Sequence, residues 1–198
     1  MDWVRIMSYI YTGRKDSNRF EYTSFVVEEH EIETWRNETL EDAKCQILFT
    51  NGCYDILHPG HIRVFHTMKR KNPNSSLIVG LNSDDSVRRL KGQYRPINNE
   101  AVRIYNLMAV AYVDFVFVFD SDTPEDLIKL LKPTILFKGG DYKPNQIAGS
   151  KFVKDNGGQV IIIERDPKYS TTDLITKIGH TYIKENFGED CLILKGEA

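Results

Sequence analysis

The sequence predicts an α/β protein, a five-stranded parallel sheet with helices on both faces, and three observations predict it. From Cys45 onward short apolar runs alternate with stretches of helical spacing. The runs are continuous rather than alternating polar and apolar, as in strands buried on both faces. Directly after four of the runs come segments that are polar, Gly-rich or basic, and open parallel sheets bind ligands at those carboxyl ends.

The elements follow in order. Asp2–Tyr11 reads as a short helix, Gly13–Arg19 as a polar break and Phe20–Val27 as a strand. Glu28–Ala43 reads as an acidic helix with Ile32, Trp35 and Leu40 near one face. We treat 1–43 as an N-terminal extension whose role is open between a cap, a dimer contact and a mobile arm. The main domain is expected over 44–180, and 181–198 as a helix end and tail.

Ile47-Leu48-Phe49 is the first buried strand, and Asn51-Gly52 is a turn signal that ends it. Pro59 suits the first position of a helix, where its missing N–H would have no partner in any case. Ile62, Phe65, His66, Met68 and Lys69 keep helical spacing, giving a helix over Pro59–Lys71. Ser76–Leu81 is the second strand, and Ser83 or Asp84 caps a short helix through Leu90. After the loop Lys91–Pro96 come a helix over Asn99–Ala111 and a strand over Val113–Phe119. A helix over Pro124–Lys132 leads to the strand Thr134–Lys138, closed by Gly139-Gly140. Gln146–Asn156 is helical with Gly157 just past its end. Val160–Ile163 is the fifth strand, and Ser170 caps a last helix to about Asn186. The result is a Rossmann-like sheet.

Composition narrows the class. At 198 residues, 41% apolar and 27% charged, the chain suits one ordinary globular domain with an appendage. A net charge of −2 argues against a general nucleic-acid binder. Cys45, Cys53 and Cys191 have no paired spacing, so neither a disulfide framework nor a zinc ribbon is indicated, which fits a reducing cytoplasm. No apolar run approaches the ~20 residues of a membrane span, and no secretory leader is read at the N-terminus.

The chemistry concentrates in Thr50-Asn51-Gly52-Cys53-Tyr54-Asp55-Ile56-Leu57-His58-Pro59-Gly60-His61. A helix N-terminus attracts phosphate through its N–H groups and dipole. Two imidazoles at i and i+3 of that first turn share a face and add donors to the same place. The same residues also suit two plainer readings, Asp55, His58 and His61 as metal ligands or the pair as a polar cap. Neither explains why the other three strand ends are also polar or basic. Arg88, Arg89, Lys91 and Arg95 put four cations within eight residues. Such a cluster is commonly a solvated face, but its place at a strand end favours phosphate contact for Lys91 first, then Arg88 and Arg95. Lys138-Gly139-Gly140-Asp141 lets a nucleoside approach the backbone, with Asp141 accepting from a ribose hydroxyl; it is also an ordinary turn sequence. Ser170-Thr171-Thr172 offers hydroxyls and helix-end N–H groups, or simply an N-cap.

The TNGCYDILHPGH stretch resembles the signature of the nucleotidyltransferase superfamily whose motif is His-x-Gly-His, and within it the cytidylyltransferase-like branch that activates sugar or alcohol phosphates. The later stretches SVRRLKG, RPIN, DTPEDLI, FKGGDYKPNQIAGSKFVKDNGGQV and YSTTDLI are similar to those of the heptose 1-phosphate adenylyltransferases, over about Cys45–Gly179. In many proteins that unit is the C-terminal half of a bifunctional enzyme with a sugar kinase. With no kinase half in this sequence, a stand-alone transferase is expected.

The resemblance implies catalytic roles for His58, His61 and Lys91. It implies nucleotide contacts for Thr50, Asn51, Gly52, Asp55, Arg88, Arg103, Gly139, Asp141, Ser170, Thr171 and Thr172. Arg103 precedes a Val113-Asp114 pair at the family's spacing and is thereby expected on the triphosphate. Cytidylyltransferases acting on choline phosphate or glycerol 3-phosphate carry a further arginine where this chain has Ala111. The implied substrates are ATP and a sugar 1-phosphate, heptose 1-phosphate favoured, with Mg2+ held by the nucleotide phosphates and no protein metal ligand. A homodimer is expected, without nucleic acid or membrane. The alternatives are a cytidylyltransferase for an alditol or alcohol phosphate, a nucleotide-binding module without turnover, and a metal-dependent hydrolase.

Overall fold

The structure, a computed structural model, describes residues 7–10, 24–26, 32–34, 36–38, 46–140, 143, 146–164 and 168–187. Seven strands form one sheet in the order β2-β1-β5-β4-β3-β6-β7. They are β1 (Met7–Ile10), β2 (Ser24–Val26), β3 (Gln46–Gly52), β4 (Ser75–Asn82), β5 (Phe115–Phe119), β6 (Ile135–Gly139) and β7 (Gln159–Ile163). β3 to β7 are mutually parallel, which is the expected five-stranded core. The helices between and after them are α1 (Pro59–Lys71), α2 (Asp84–Lys91), α3 (Glu100–Met108), α4 (Glu125–Leu131), α5 (Ser150–Asp155) and α6 (Thr171–Phe187).

Side chains of successive strand residues point to opposite faces, and β3 divides them accordingly. Ile47 and Phe49 enter one core layer with Ile128, Leu131 and Leu136, under α4. Leu48 enters the other with Phe65 and Met68 of α1 and Ile104 and Leu107 of α3. Ile32, 1% exposed, belongs to the first layer, so part of the segment before residue 44 packs in the core.

Several boundaries differ from expectation for identifiable reasons. The predicted Asp2–Tyr11 helix is wrong at Met7–Ile10, which pairs antiparallel with β5 from Met7↔Val118 to Ile10↔Phe115. An edge strand of a parallel core presents unpaired backbone groups, and that demand overrides weak helical propensity. Residues 32–34 and 36–38 are helical as expected; Trp35 and Leu40 lie outside the described residues. Asn51-Gly52 does not end β3, because both residues stay in the parallel ladder opposite Gly80 and Leu81. The chain turns after them, at Tyr54, which takes the left-handed φ of 45°. α3 stops at Met108 rather than Ala111, and α5 begins only after Gly149, which takes a φ of 77° and so interrupts helical geometry. β5 begins at Phe115, since Asp114 is engaged on β4, its N–H donating to the Leu77 carbonyl at 3.0 Å.

Candidate active site

The carboxyl ends of β3, β4 and β6 and the N-termini of α1 and α6 enclose a polar cavity of about 510 Å³. His58 is the N-cap of α1, with extended backbone and no side-chain cap bond, and the first turn contains no acidic residue. Neither a side-chain cap nor an acidic residue in that turn offsets the positive end of this helix, which favours an anion there. The His58 and His61 imidazoles stack 3.8 Å apart at 22°. Tyr169 continues the stack at 6.3 Å from His58, and Tyr54 meets His61 edge-on at 5.1 Å. Gly60 makes this possible, because a Cβ there would stand 3.0 Å from the His58 ring and 3.3 Å from the Tyr169 Cβ. Gly52 plays a similar part, since a Cβ on it would meet the Tyr54 ring at 3.2 Å.

Asp55 is 1% exposed and holds the Arg95–Asn98 loop against the motif. Its carboxylate accepts from Arg95 Nε at 2.6 Å, from the Ile97 N–H at 2.9 Å and from the Asn98 N–H at 2.8 Å. These contacts make Asp55 a loop anchor. Arg95, fixed in this way, lines the cavity together with Lys91.

The other expected cations go elsewhere. Arg88 is exposed and pairs with Asp85 on its own helix at 2.9 Å. Arg89 bonds Asp122 at 2.8 Å. Arg103 is 0% exposed and does not line the cavity. Its Nη1 donates to the Cys53 carbonyl at 2.7 Å and the Asn82 carbonyl at 2.8 Å, and its Nη2 to Asp84 at 2.8 Å. It clamps the ends of β3 and β4 from behind rather than reaching into the cavity.

Asn51, Gly52, Gly139, Ser170, Thr171 and Thr172 line the cavity with the histidines. Thr50 is 2% exposed and lines a smaller recess of about 190 Å³ below His61, where its side chain hydrogen-bonds Tyr54. Burial, the largest influence, raises the Tyr54 phenol well above its usual pKa. Ser170 Oγ accepts from the Asp173 N–H at 3.3 Å and Thr171 Oγ1 donates to the Ile56 carbonyl at 3.4 Å, so α6 docks directly on the motif loop. Asp141 lies outside the described residues.

Sequence reasoning passed over Lys138, Tyr169, Glu164 and Arg63, all of which line the cavity. Lys138 stood in plain view at the end of a predicted strand next to the glycines assigned to the nucleoside. A shallower depression of about 610 Å³ shares His58 and Arg63 with the cavity and is otherwise lined by Leu57, Pro59, Ile62, His66 and Tyr112, a mainly apolar wall. Among the described residues no group of three or more His, Cys, Asp or Glu could hold a metal ion.

Comparison with known proteins agrees with the geometry. The bifunctional protein HldE of Hyphomonas neptunium is 48% identical over 147 residues, 74% of this chain and 29% of that protein. HldE of Rhodopseudomonas palustris is 48% identical over 143 residues, 72% of the chain and 28% of the relative. HldE of Geobacter metallireducens is 46% identical over 140 residues, 71% and 28%. The chain thus spans under a third of the length of these relatives. The cytidylyltransferase-like family model matches residues 49–177, from the strand that carries the motif to the helix that docks on it, and this chain belongs to that family.

Proposed function

We propose that the domain is a nucleotidyltransferase that joins ATP to a sugar 1-phosphate, with heptose 1-phosphate as the favoured acceptor, releasing pyrophosphate. The observation that carries the reading is the stacked His58–His61 pair at the uncapped start of α1, in one cavity with Lys91 and Arg95. The acceptor phosphate has a second pKa of ~6 and is largely dianionic at neutral pH, so its attack needs no general base. An oxygen of that phosphate bonds to the α-phosphorus as the bond to the pyrophosphate oxygen breaks, and the electron pair leaves with pyrophosphate. What the protein must supply is positioning and relief of repulsion between anions. His58 and His61 act as donors to the triphosphate, while Lys91 and Arg95, which line the same cavity, offset its charge. Arg103 is assigned a positioning role, through the Cys53 and Asn82 carbonyls, in place of a direct phosphate contact.

Magnesium suits this donor set as a cation that arrives on the nucleotide. Among the described residues, the carboxylates that line the cavity are Asp55 and Asp122, both paired with arginines, and Glu164, so the ion would be held mainly by the nucleotide phosphates. When bound it neutralises phosphate charge. We further propose a cytoplasmic location, in keeping with a free thiol at Cys53, and a homodimer; among the described residues no helix is long and apolar enough to cross a membrane.

Heptose as acceptor rests on the likeness of Lys138–Val160 to the heptose enzymes and on Ala111 in place of the cytidylyltransferase arginine. A panel pairing ATP, CTP and GTP with heptose, hexose and alditol phosphates, read by pyrophosphate release, tests it. The expected outcome is preference for ATP with heptose 1-phosphate. Preference for CTP overturns the adenylyl assignment, and release without any acceptor overturns transfer itself.

A further inference from the structure

β3 leads to β4 and β5 on one side of the sheet and β6 and β7 lie on the other, so the switch point falls between β3 and β6. Ligands of open α/β sheets bind in the crevice at that point. Lys138, the second-last residue of β6, stands there. Its Nζ donates to Asn51 Oδ1 at 3.0 Å and lies 3.5 Å from the Asn51 carbonyl oxygen, so the ammonium is held on the neighbouring strand. It lines both the main cavity and the recess beneath His61.

Lys138 and Lys91 differ in setting. Lys91 ends α2 and is exposed, whereas Lys138 is half-buried at the crevice floor. Burial pushes the Lys138 ammonium below the usual lysine pKa; nearby Cys53 works against that shift and Lys91 adds to it. A partly dehydrated ammonium beside a second cation is stabilised when an anion enters between them. The triphosphate already has donors at the start of α1. The second anion of the reaction, the acceptor phosphate, needs a fixed cation of its own if it is to approach.

We infer that Lys138 contacts the phosphate of the acceptor substrate and holds it for attack, a catalytic role that rests on the transfer reaction proposed above. The ammonium keeps its proton throughout; it orders and neutralises the nucleophilic phosphate rather than exchanging a proton with it.

The test titrates inorganic phosphate, as a probe of the acceptor phosphate, into protein saturated with an α,β-methylene analogue of ATP. The loss of one charged hydrogen-bond donor in Lys138→Met is expected to weaken phosphate binding about 10- to 100-fold. Affinity for the analogue should stay within about threefold. Steady-state kinetics should show the same split, with KM for the sugar phosphate raised and KM for ATP little changed, and Lys138→Arg should recover part of the loss. If Lys138→Met does not fold, Lys138→Gln, which keeps a donor for Asn51, is read the same way. Unchanged phosphate binding, or an equal loss of analogue affinity, overturns the inference. Failure of the wild type to turn over any sugar phosphate, with phosphate binding still dependent on Lys138, removes the proposed reaction and leaves the anion site. Normal turnover in Lys138→Met does the reverse.

Discussion

The turn at residues 58–61 and the cationic stretch at 88–103 both looked like phosphate-binding segments, yet the fold treats them differently. In the turn, both histidines reach the cavity side by side. In the cationic stretch the charges scatter. Lys91 and Arg95 line the cavity, Arg88 and Arg89 pair with carboxylates at the surface, and Arg103 is buried behind the strand ends. The difference lies in where each partner comes from. His58 and His61 are placed by one local element, a helix start with Pro59 and Gly60 between them. Arg88 pairs locally with Asp85, but Arg89, Arg95 and Arg103 are placed by Asp122, Asp55 and Asp84, up to 40 residues away along the chain. Local spacing therefore fixes the first case and cannot fix the second.

The largest effect that would break this contrast is at Arg103. Removing one partner of a buried ionic network leaves uncompensated groups behind and costs about 3–5 kcal/mol. Arg103→Ala should accordingly lower the denaturation midpoint sharply, and any correctly folded fraction should still bind ATP. A variant of wild-type stability that has lost ATP binding would put Arg103 back on the triphosphate.

That residue also shows how far the sequence could be read. The parallel core, the α1 boundaries and the position of the histidines follow from periodicity, Pro59 and the motif spacing, all short-range signals. β1 was misread because one of its two partners, β5, the strand that joins it to the core, lies more than a hundred residues downstream. Arg103, which the family resemblance and its spacing to Val113-Asp114 put on the triphosphate, is buried against the Cys53 and Asn82 carbonyls and does not line the cavity. It stands four residues before Leu107 and next to Ile104, on the buried stripe of α3, and that spacing was the signal for burial. Asp55 could be placed in the site but not given its work, since its partners Ile97 and Asn98 offer backbone N–H groups that no sequence displays.

A smaller effect sharpens the contrast within the cationic stretch itself. Arg95→Ala removes a cation from the cavity and a partner from buried Asp55, so both the KM for phosphate substrates and the stability should suffer, by about 1–3 kcal/mol in stability. Arg88→Ala breaks only an exposed i,i+3 pair and should change stability by no more than about 0.5 kcal/mol, with kinetics unaltered. Steady-state kinetics and denaturant melts on the two variants check both statements, and equal behaviour would mean that the cluster acts as one field rather than as separately placed charges.

The central claim is that the stacked pair at the start of α1 performs transfer, and one measurement addresses it most directly. Pyrophosphate release from ATP and heptose 1-phosphate is followed for the wild type, His58→Ala and His61→Ala, at matched folded concentration. Losing one donor to the transition state predicts turnover lower by about 10²–10³ in each variant, with unchanged melting and with release still strictly dependent on the sugar phosphate. Near-normal turnover in both variants would contradict the account.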